Sequence, residues 1–91
     1  MSRIACKIRA TGRVQGVFFR AWAAEQALAL GVVGWIRNAV DGTVEAHLEG
    51  DKHAVQQLID HLRQGPPAAR VDRVDVEPAN PESGERFEVR H

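Results

Sequence analysis

The first segment of the chain alternates apolar and polar residues. Between Arg3 and Thr11 every second position is apolar or small, namely Ile4, Cys6, Ile8 and Ala10. A period of two predicts a β-strand with one buried face. The opposite face carries Arg3, Lys7 and Arg9, so we expect it to be basic and exposed to solvent.

Two later segments have the composition and spacing of helices. Ala21 to Leu30 is rich in alanine and leucine, and Gly31 suits the left-handed position that follows a helix. Asp51 is the predicted N-cap of a second helix, which Gly65 and Pro66 end. The apolar positions of that helix share the spacing of one helical face and are Val55, Leu58, Ile59 and Leu62.

The segments between and after the helices favour strands. Val32 to Asn38 is β-branched and aromatic, Asp41-Gly42 predicts a turn, and Thr43 to Glu49 alternates again. These segments therefore form a predicted hairpin. Ala69 to Glu77 reads as a strand whose valines change phase near Asp72, which predicts a bulge or twist there.

A short terminal strand around Phe87 and Val89 completes the chain, because these two residues alternate with charged ones. The predicted order is therefore βαββαβ with one extra strand. A strand, a helix and a further strand in one sheet normally form a right-handed crossover, which makes the two strands parallel. The loop from Gly12 to Arg20 should therefore lie beside the turn from Asn38 to Gly42, at one edge of the sheet.

The Gly12 to Arg20 loop has the residues of an anion site. Gly12 and Gly16 allow backbone turns that gather N–H groups around an anion, and Arg20 adds a bidentate donor. The loop leads into a helix N-terminus, whose N–H groups and dipole also favour anions. An ordinary surface turn with a solvated arginine is equally compatible with this loop taken alone.

Composition narrows the function classes. The 91 residues carry 12 Lys plus Arg against 12 Asp plus Glu, so the net charge gives no overall attraction to nucleic acid or acidic membranes. No run approaches the roughly 18 apolar residues of a membrane span, and no signal peptide is recognised. We expect one soluble, cytoplasmic domain over residues 1–91 that is monomeric and has no nucleic-acid or membrane partner. The lone Cys6 is expected to be buried.

Three stretches of the sequence are specific enough to indicate a protein family: GRVQGVFFR at 12–20, LGVVGWIRN at 30–38 and DGTVE at 41–45. Together they strongly resemble the acylphosphatase family. The resemblance continues through the second helix and is weakest over Pro78 to His91. It implies an α+β fold, a ferredoxin-like βαββαβ open sandwich. In that fold an antiparallel sheet carries two helices on one face and, here, a short extra C-terminal strand.

The resemblance also implies an activity and its residues. Members hydrolyse the carboxyl-phosphate bond of acyl phosphates to a carboxylate and inorganic phosphate, without a metal or cofactor. By motif position, Arg20 corresponds to the phosphate-binding arginine and Asn38 to the asparagine that positions the attacking water. The backbone N–H groups of the phosphate loop correspond to those of Gln15, Gly16, Val17, Phe18, Phe19 and Arg20. Thr43 is a candidate support for the Asn38 turn, although a β-branched strand residue explains it as well.

Several alternatives stay open. The chain could be a non-catalytic acylphosphatase-like module that binds phosphate or another protein, and Asn38 could be an ordinary turn residue. The histidines have no trusted metal-ligand spacing, and His53 and His61 are expected to be solvated. Four of the five Phe and Trp residues are interpreted as packing residues, namely Phe18, Phe19, Trp22 and Trp35. No acyl-group pocket is recognised, so we expect broad tolerance of the acyl group.

Overall fold

The computed structural model describes residues 2–91 and contains five strands and two helices in the predicted order. The elements are β1 (Arg3–Arg13), α1 (Phe19–Leu30), β2 (Val33–Asn38), β3 (Val44–Asp51), α2 (Lys52–Gln64), β4 (Arg70–Pro78) and β5 (Phe87–Arg90). The predicted C-terminus of α1 and the predicted N-cap of α2 are confirmed. Gly31 is left-handed with φ 73°, and the Asp51 carboxylate accepts the His53 N–H at 3.1 Å. The first helix begins at Phe19 rather than at Ala21.

The strands form one sheet in the order β4-β1-β3-β2-β5. β1 is antiparallel to β3 and β4, and β2 is antiparallel to β3, as the ferredoxin-like prediction requires. β5 adds to β2 in parallel, so the complete five-stranded sheet is mixed. Since β1 and β2 are both antiparallel to β3, they run in the same direction. Their carboxyl ends therefore share one edge, as the crossover argument predicts.

The core lies between the sheet and the two helices. α1 contributes Phe19, Ala23 and Ala27, and α2 contributes Val55, Leu58 and Leu62, all of them buried. Cys6 is buried in the same cluster, and burial raises the pKa of its thiol. His61 was expected to be solvated, and this is wrong: it is half-buried, and its Nδ1 lies 2.9 Å from Gln26 Oε1, which joins the two helices.

The predicted bulge on β4 is confirmed. Thr11 pairs with Arg73 whereas Gly12 pairs with Val71, so Asp72 is the extra residue. Gly12 adopts φ 131°, and a Cβ there would collide with the Arg70 carbonyl oxygen. Its role therefore differs from the one predicted: Gly12 lies within β1 and allows the bulged strand to approach.

The sheet face opposite the helices contains buried charge. β1 exposes Arg3 and Lys7 as predicted, but the polar residues of the central strand β3, Glu45, His47 and Glu49, are all buried. The His47 Nε2 lies 3.0 Å from Glu49 Oε1, and its Nδ1 lies 3.6 Å from Glu82 Oε2. We call His47, Glu49 and Glu82 the open-face network.

The segment between β4 and β5 covers this network. The backbone N–H groups of Glu82 and Ser83 donate to the Glu49 carboxylate at 2.7 and 3.3 Å. Trp35 stacks on the His47 ring with centroids 6.3 Å apart, and its indole N–H donates to Glu82 at 3.0 Å. The His47 ring and then the Glu82 N–H lower the pKa of Glu49 to about 2. The open-face network thus fastens a loop to the sheet through hydrogen bonds to a buried carboxylate.

Candidate active site

The loop between β1 and α1 is shaped by two buried valines and two left-handed residues. Val14 and Val17 are buried, which anchors the loop to the core. Gly16 has φ 73° and Phe18 has φ 61°, both in the left-handed region. Left-handed residues within a turn aim successive backbone N–H groups toward one side, as in anion-binding nests. The local conformation therefore fits the cradle predicted from the sequence.

The backbone N–H groups at the N-terminus of α1 have no acidic or capping side chain as a partner. Its N-cap is Phe18, which makes no side-chain capping bond, and the first turn contains no acidic residue. Arg20 lies in that first turn, where the positive end of the helix dipole disfavours a cation. An anion at this point would interact favourably with the dipole, with the free N–H groups and with the guanidinium.

Arg20 is held by the C-terminal segment. Its Nη1 donates to the Arg90 carbonyl oxygen at 2.7 Å and lies 3.2 Å from His91 Nδ1. Sequence reasoning missed both contacts, because they depend on β5 pairing with β2. The short apolar alternation around Phe87 carried no signal of that pairing.

Asn38 is the last residue of β2 and lies in a turn that the loop itself supports. The Ala39 N–H donates to the Thr43 carbonyl at 2.8 Å and closes the turn. The Gln15 side-chain amide donates to the carbonyls of Ala39 and Thr43 at 2.8 and 2.9 Å. Sequence reasoning considered only the backbone N–H of Gln15 and missed its side chain, which ties the anion loop to the Asn38 turn.

Arg20 and Asn38 line the same cavity, which has a volume of about 420 Å³. Other residues of its lining are Val14, Gly16, Phe18, Phe19, Ala21, Val89 and His91. Gln15, Val17 and Thr43 lie outside this lining, so of the predicted residues the cavity brings together Arg20, Asn38 and part of the loop. A mainly apolar lining with a few polar side chains would suit a ligand with an anionic head and an apolar body.

The acylphosphatase family model matches residues 6–89. The chain belongs to the acylphosphatase family. It is similar to the acylphosphatase of Thermococcus kodakarensis, with 52% identity over 89 residues and 98% of each chain covered. The acylphosphatase of Pelotomaculum thermopropionicum is 54% identical over 77 residues, which cover 85% of this chain and 84% of the relative.

Structural similarity agrees with this family membership. The acylphosphatase structure from Coxiella burnetii superimposes with a TM-score of 0.93 at 34% identity, and the match covers 97% of this chain and 93% of that one. The family, the ferredoxin-like fold and the enzyme class predicted from the sequence are confirmed by these findings. The roles assigned to Arg20, Asn38 and the loop N–H groups stay predictions.

In this acylphosphatase the Thr43 side chain supports the hairpin turn rather than Asn38 directly. Its hydroxyl donates to Asp41 Oδ1 at 2.6 Å and accepts from Arg9 Nη1 at 2.9 Å. Asp41 also accepts the Thr43 N–H at 3.0 Å, and the Thr43 hydroxyl is the main cause that lowers the pKa of Asp41. Only the Thr43 carbonyl reaches the Asn38 side of the turn, through Ala39 and Gln15.

The aromatic residues divide differently from the prediction. Phe19 is buried and packs edge-on against Trp22, with ring centroids 5.8 Å apart, so its predicted packing role is confirmed. Phe18, which was expected to pack as well, is 85% exposed at the cavity.

Within residues 2–91 no group of three or more His, Cys, Asp or Glu is placed to hold a metal ion. Neither α1 nor α2 is long and apolar enough to cross a membrane.

Proposed function

We propose that this acylphosphatase hydrolyses the carboxyl-phosphate bond of acyl phosphates by direct attack of water on phosphorus. The observation that carries the proposal is that Arg20 and Asn38, from different elements, line one cavity at the N-terminus of α1. Arg20 and the backbone N–H groups of residues 15–20 hold the phosphate. Asn38 positions the water.

The loop supplies positive potential without a metal. Phosphoryl transfer spreads charge over the equatorial oxygens, so catalysis depends mainly on stabilising that charge and on aligning the nucleophile. A guanidinium offers five N–H donors, and the protein contacts described for Arg20 use only Nη1. The Nε and Nη2 donors are therefore available for a phosphate, together with the N–H groups at the start of α1.

Asn38 suits the water because its side chain is neutral. An amide can accept one hydrogen bond from water and donate another elsewhere, without the repulsion that a carboxylate would feel near phosphate. Water attacks phosphorus, the bond to the acyl oxygen breaks, and the carboxylate departs with the bonding electron pair. The water proton passes to a phosphate oxygen of the substrate, since an acyl phosphate has a good leaving group and, among residues 2–91, no Asp or Glu side chain lines the cavity.

The activity test compares wild type with Arg20→Ala and Asn38→Ala in benzoyl phosphate hydrolysis. By analogy with the loss of one preorganised donor, each change should lower kcat/KM on the order of a hundredfold. Arg20→Ala should also weaken inhibition by inorganic phosphate, whereas Asn38→Ala should act mainly on kcat. Arg63→Ala and Asn80→Ala are matched controls, because both residues are exposed and neither lines the cavity. A wild type at background rate, which still binds phosphate, would favour the non-catalytic module instead.

The proton route has its own test, because His91 lines the cavity 3.2 Å from Arg20 Nη1. Replacing it by Gln should leave kcat within about threefold of wild type if the substrate itself takes the proton, because no general base is then lost. A pH–rate profile whose limb disappears in His91→Gln would instead identify His91 as a general base.

The remaining features of the proposal concern cofactors, partners and location. We propose that the activity needs no metal and survives a chelator, because Arg20 and backbone donors provide the charge stabilisation. We further propose a cytoplasmic monomer without nucleic-acid or membrane partners, consistent with equal numbers of acidic and basic residues. Activity with and without EDTA, and light scattering after gel filtration, test these points.

A further inference from the structure

Phe18 differs from every other aromatic residue described in the chain. Its side chain is 85% exposed, and its backbone adopts φ 61° and ψ 23°, a left-handed conformation that residues other than glycine adopt infrequently. Leu28 and Val40 are also large hydrophobic residues in solvent. Of these three, only Phe18 lines the cavity that contains Arg20 and Asn38.

Neither packing nor capping explains an aromatic residue at this position. The next residue, Phe19, is buried in the core, so the left-handed turn sends two consecutive rings in opposite directions. Phe18 is also the N-cap of α1 and makes no side-chain capping bond. Serine, aspartate or asparagine would stabilise the helix better there. The ring therefore lines the cavity in an exposed position at some cost to the fold.

Other residues that line the cavity are apolar like Phe18. Val14 and Val89 form part of its lining, while Arg20, Asn38 and His91 provide its polar side chains. A volume of about 420 Å³ is within the roughly 300–1,000 Å³ range of small-molecule pockets. An inorganic phosphate ion held by Arg20 would leave space beside the apolar walls, where the acyl part of a substrate would lie.

We propose that Phe18, with Val14 and Val89, forms an acyl-group subsite that selects acyl phosphates with an aromatic or branched apolar acyl group over acetyl phosphate. This inference rests on the proposed function of the cavity. It replaces the sequence-based expectation of broad acyl tolerance, which was made when no acyl pocket was recognised. The Phe18 side chain acts in specificity, because its ring covers one face of the acyl group. Phosphate binding belongs to Arg20 and to the backbone N–H groups of the loop, including that of Phe18, which a side-chain substitution keeps.

The test measures kcat/KM for benzoyl phosphate and acetyl phosphate, each divided by its rate of spontaneous hydrolysis. Phe18→Asn is the main variant, because asparagine tolerates the left-handed conformation but lacks the apolar ring. The normalised benzoyl-to-acetyl ratio should fall about tenfold, through a higher KM for benzoyl phosphate. Inhibition by inorganic phosphate should stay unchanged. Phe18→Gly repeats the test with the residue best suited to this backbone, should the asparagine variant fold poorly.

Two comparison variants separate the ring from general effects. Phe18→Leu should retain most of the ratio, because it keeps an apolar side chain in the cavity lining. Leu28→Gln should leave the ratio unchanged, since Leu28 is 82% exposed on the same helix but lies outside the cavity. Circular dichroism and thermal unfolding establish that each variant is folded.

The inference is overturned if the ratio is unchanged in both Phe18→Asn and Phe18→Gly. It is equally overturned if these variants weaken both substrates and phosphate inhibition by the same factor, because Phe18 would then act only through loop geometry. A wild type that hydrolyses neither substrate overturns the proposed function, and this inference with it. An active wild type with an unchanged ratio in the variants rejects the acyl subsite alone.

Discussion

Two polar clusters of this sheet are built in opposite ways. In the open-face network, the side chains of His47 and Glu49 are only 4% and 3% exposed, and their polar atoms contact other protein groups. At the candidate active site, Asn38 is exposed, and among residues 2–91 its side-chain amide makes no hydrogen bond. Arg20 uses one guanidinium nitrogen for the protein contacts described. The first cluster completes its bonds within the fold, whereas the second keeps donors for a ligand.

The difference teaches how to separate structural from functional polar groups. A buried carboxylate that accepts several hydrogen bonds stabilises the fold, because removing one partner leaves a desolvated group unsatisfied. An exposed amide or a partly bonded arginine contributes little to stability. Such a group is free to bind an anion or water, and the two clusters should respond differently to substitution.

The largest expected effect is a loss of activity with little loss of stability when residues of the candidate active site are replaced. Arg20→Ala and Asn38→Ala, which should lower kcat/KM on the order of a hundredfold, should change the free energy of unfolding by less than about 1 kcal/mol. The reason is that Asn38 is exposed and Arg20 lies at an unfavourable helix end. Urea unfolding followed by circular dichroism measures this quantity. A loss of several kcal/mol would mean that the site residues also stabilise the fold.

In the open-face network we expect the opposite result, a loss of stability with little loss of activity. Glu49→Gln should lower the free energy of unfolding by roughly 3 kcal/mol, because an amide cannot replace every hydrogen bond that the buried carboxylate makes with the His47 ring and the Glu82 and Ser83 N–H groups. Its kcat/KM for benzoyl phosphate should stay within about twofold of wild type. Glu88→Gln is a control on an exposed carboxylate. Equal stability of Glu49→Gln and Glu88→Gln would contradict the comparison.

Acid should weaken the open-face network in a defined range. Contacts with His47 and the Glu82 N–H lower the pKa of Glu49 from 4.5 to about 2 in the folded protein. A depressed folded pKa gives stability that is complete above the unfolded value and is lost as the pH falls through the folded value. The stability difference between wild type and Glu49→Gln should therefore shrink as the pH falls from about 5 toward 2. A difference that is constant over this range would show that charge is not its origin.

The smallest expected effect concerns the link between the loop and the Asn38 turn. Gln15→Ala removes two hydrogen bonds to the carbonyls of Ala39 and Thr43. A less ordered turn should misplace Asn38 and lower kcat by about tenfold, with little change in phosphate inhibition. Gln64→Ala, on the exposed end of α2, is the matched control. If Gln15→Ala weakened phosphate binding as much as turnover, its side chain would serve the loop rather than Asn38.

Some of these features follow from sequence periodicity and others do not. The change of valine phase located the bulge at Asp72, and the crossover rule brought Asn38 to the edge where Arg20 lies. Alternation also separated the apolar residues of β3, on one face of the strand, from its polar residues. It gave no sign that Glu45, His47 and Glu49 would be buried on the other face, because the residues that cover them come from distant segments.

The site was predicted less completely than the fold, for physical reasons. A parallel pairing of β5 with β2 depends on long-range contacts, so the bond from Arg20 to the Arg90 carbonyl was not recognised. The left-handed conformation of Phe18 could not be inferred from its residue type, because bulky residues seldom adopt it. Its ring was accordingly expected to pack in the core or the loop rather than to be exposed. Motif resemblance supplied the roles of Arg20 and Asn38, which local spacing alone left open.

The uncapped N-terminus of α1, with Arg20 in its first turn, links product inhibition to thermal resistance. A ligand that binds only the folded chain raises stability by an amount that grows with the logarithm of its concentration. Phosphate held at this helix end would therefore both slow the enzyme and delay its melting. A variant that binds phosphate more weakly would turn over faster in phosphate-rich solution. It should also be stabilised less by phosphate and unfold at a lower temperature. Weaker inhibition and higher heat tolerance are therefore in conflict at this one loop.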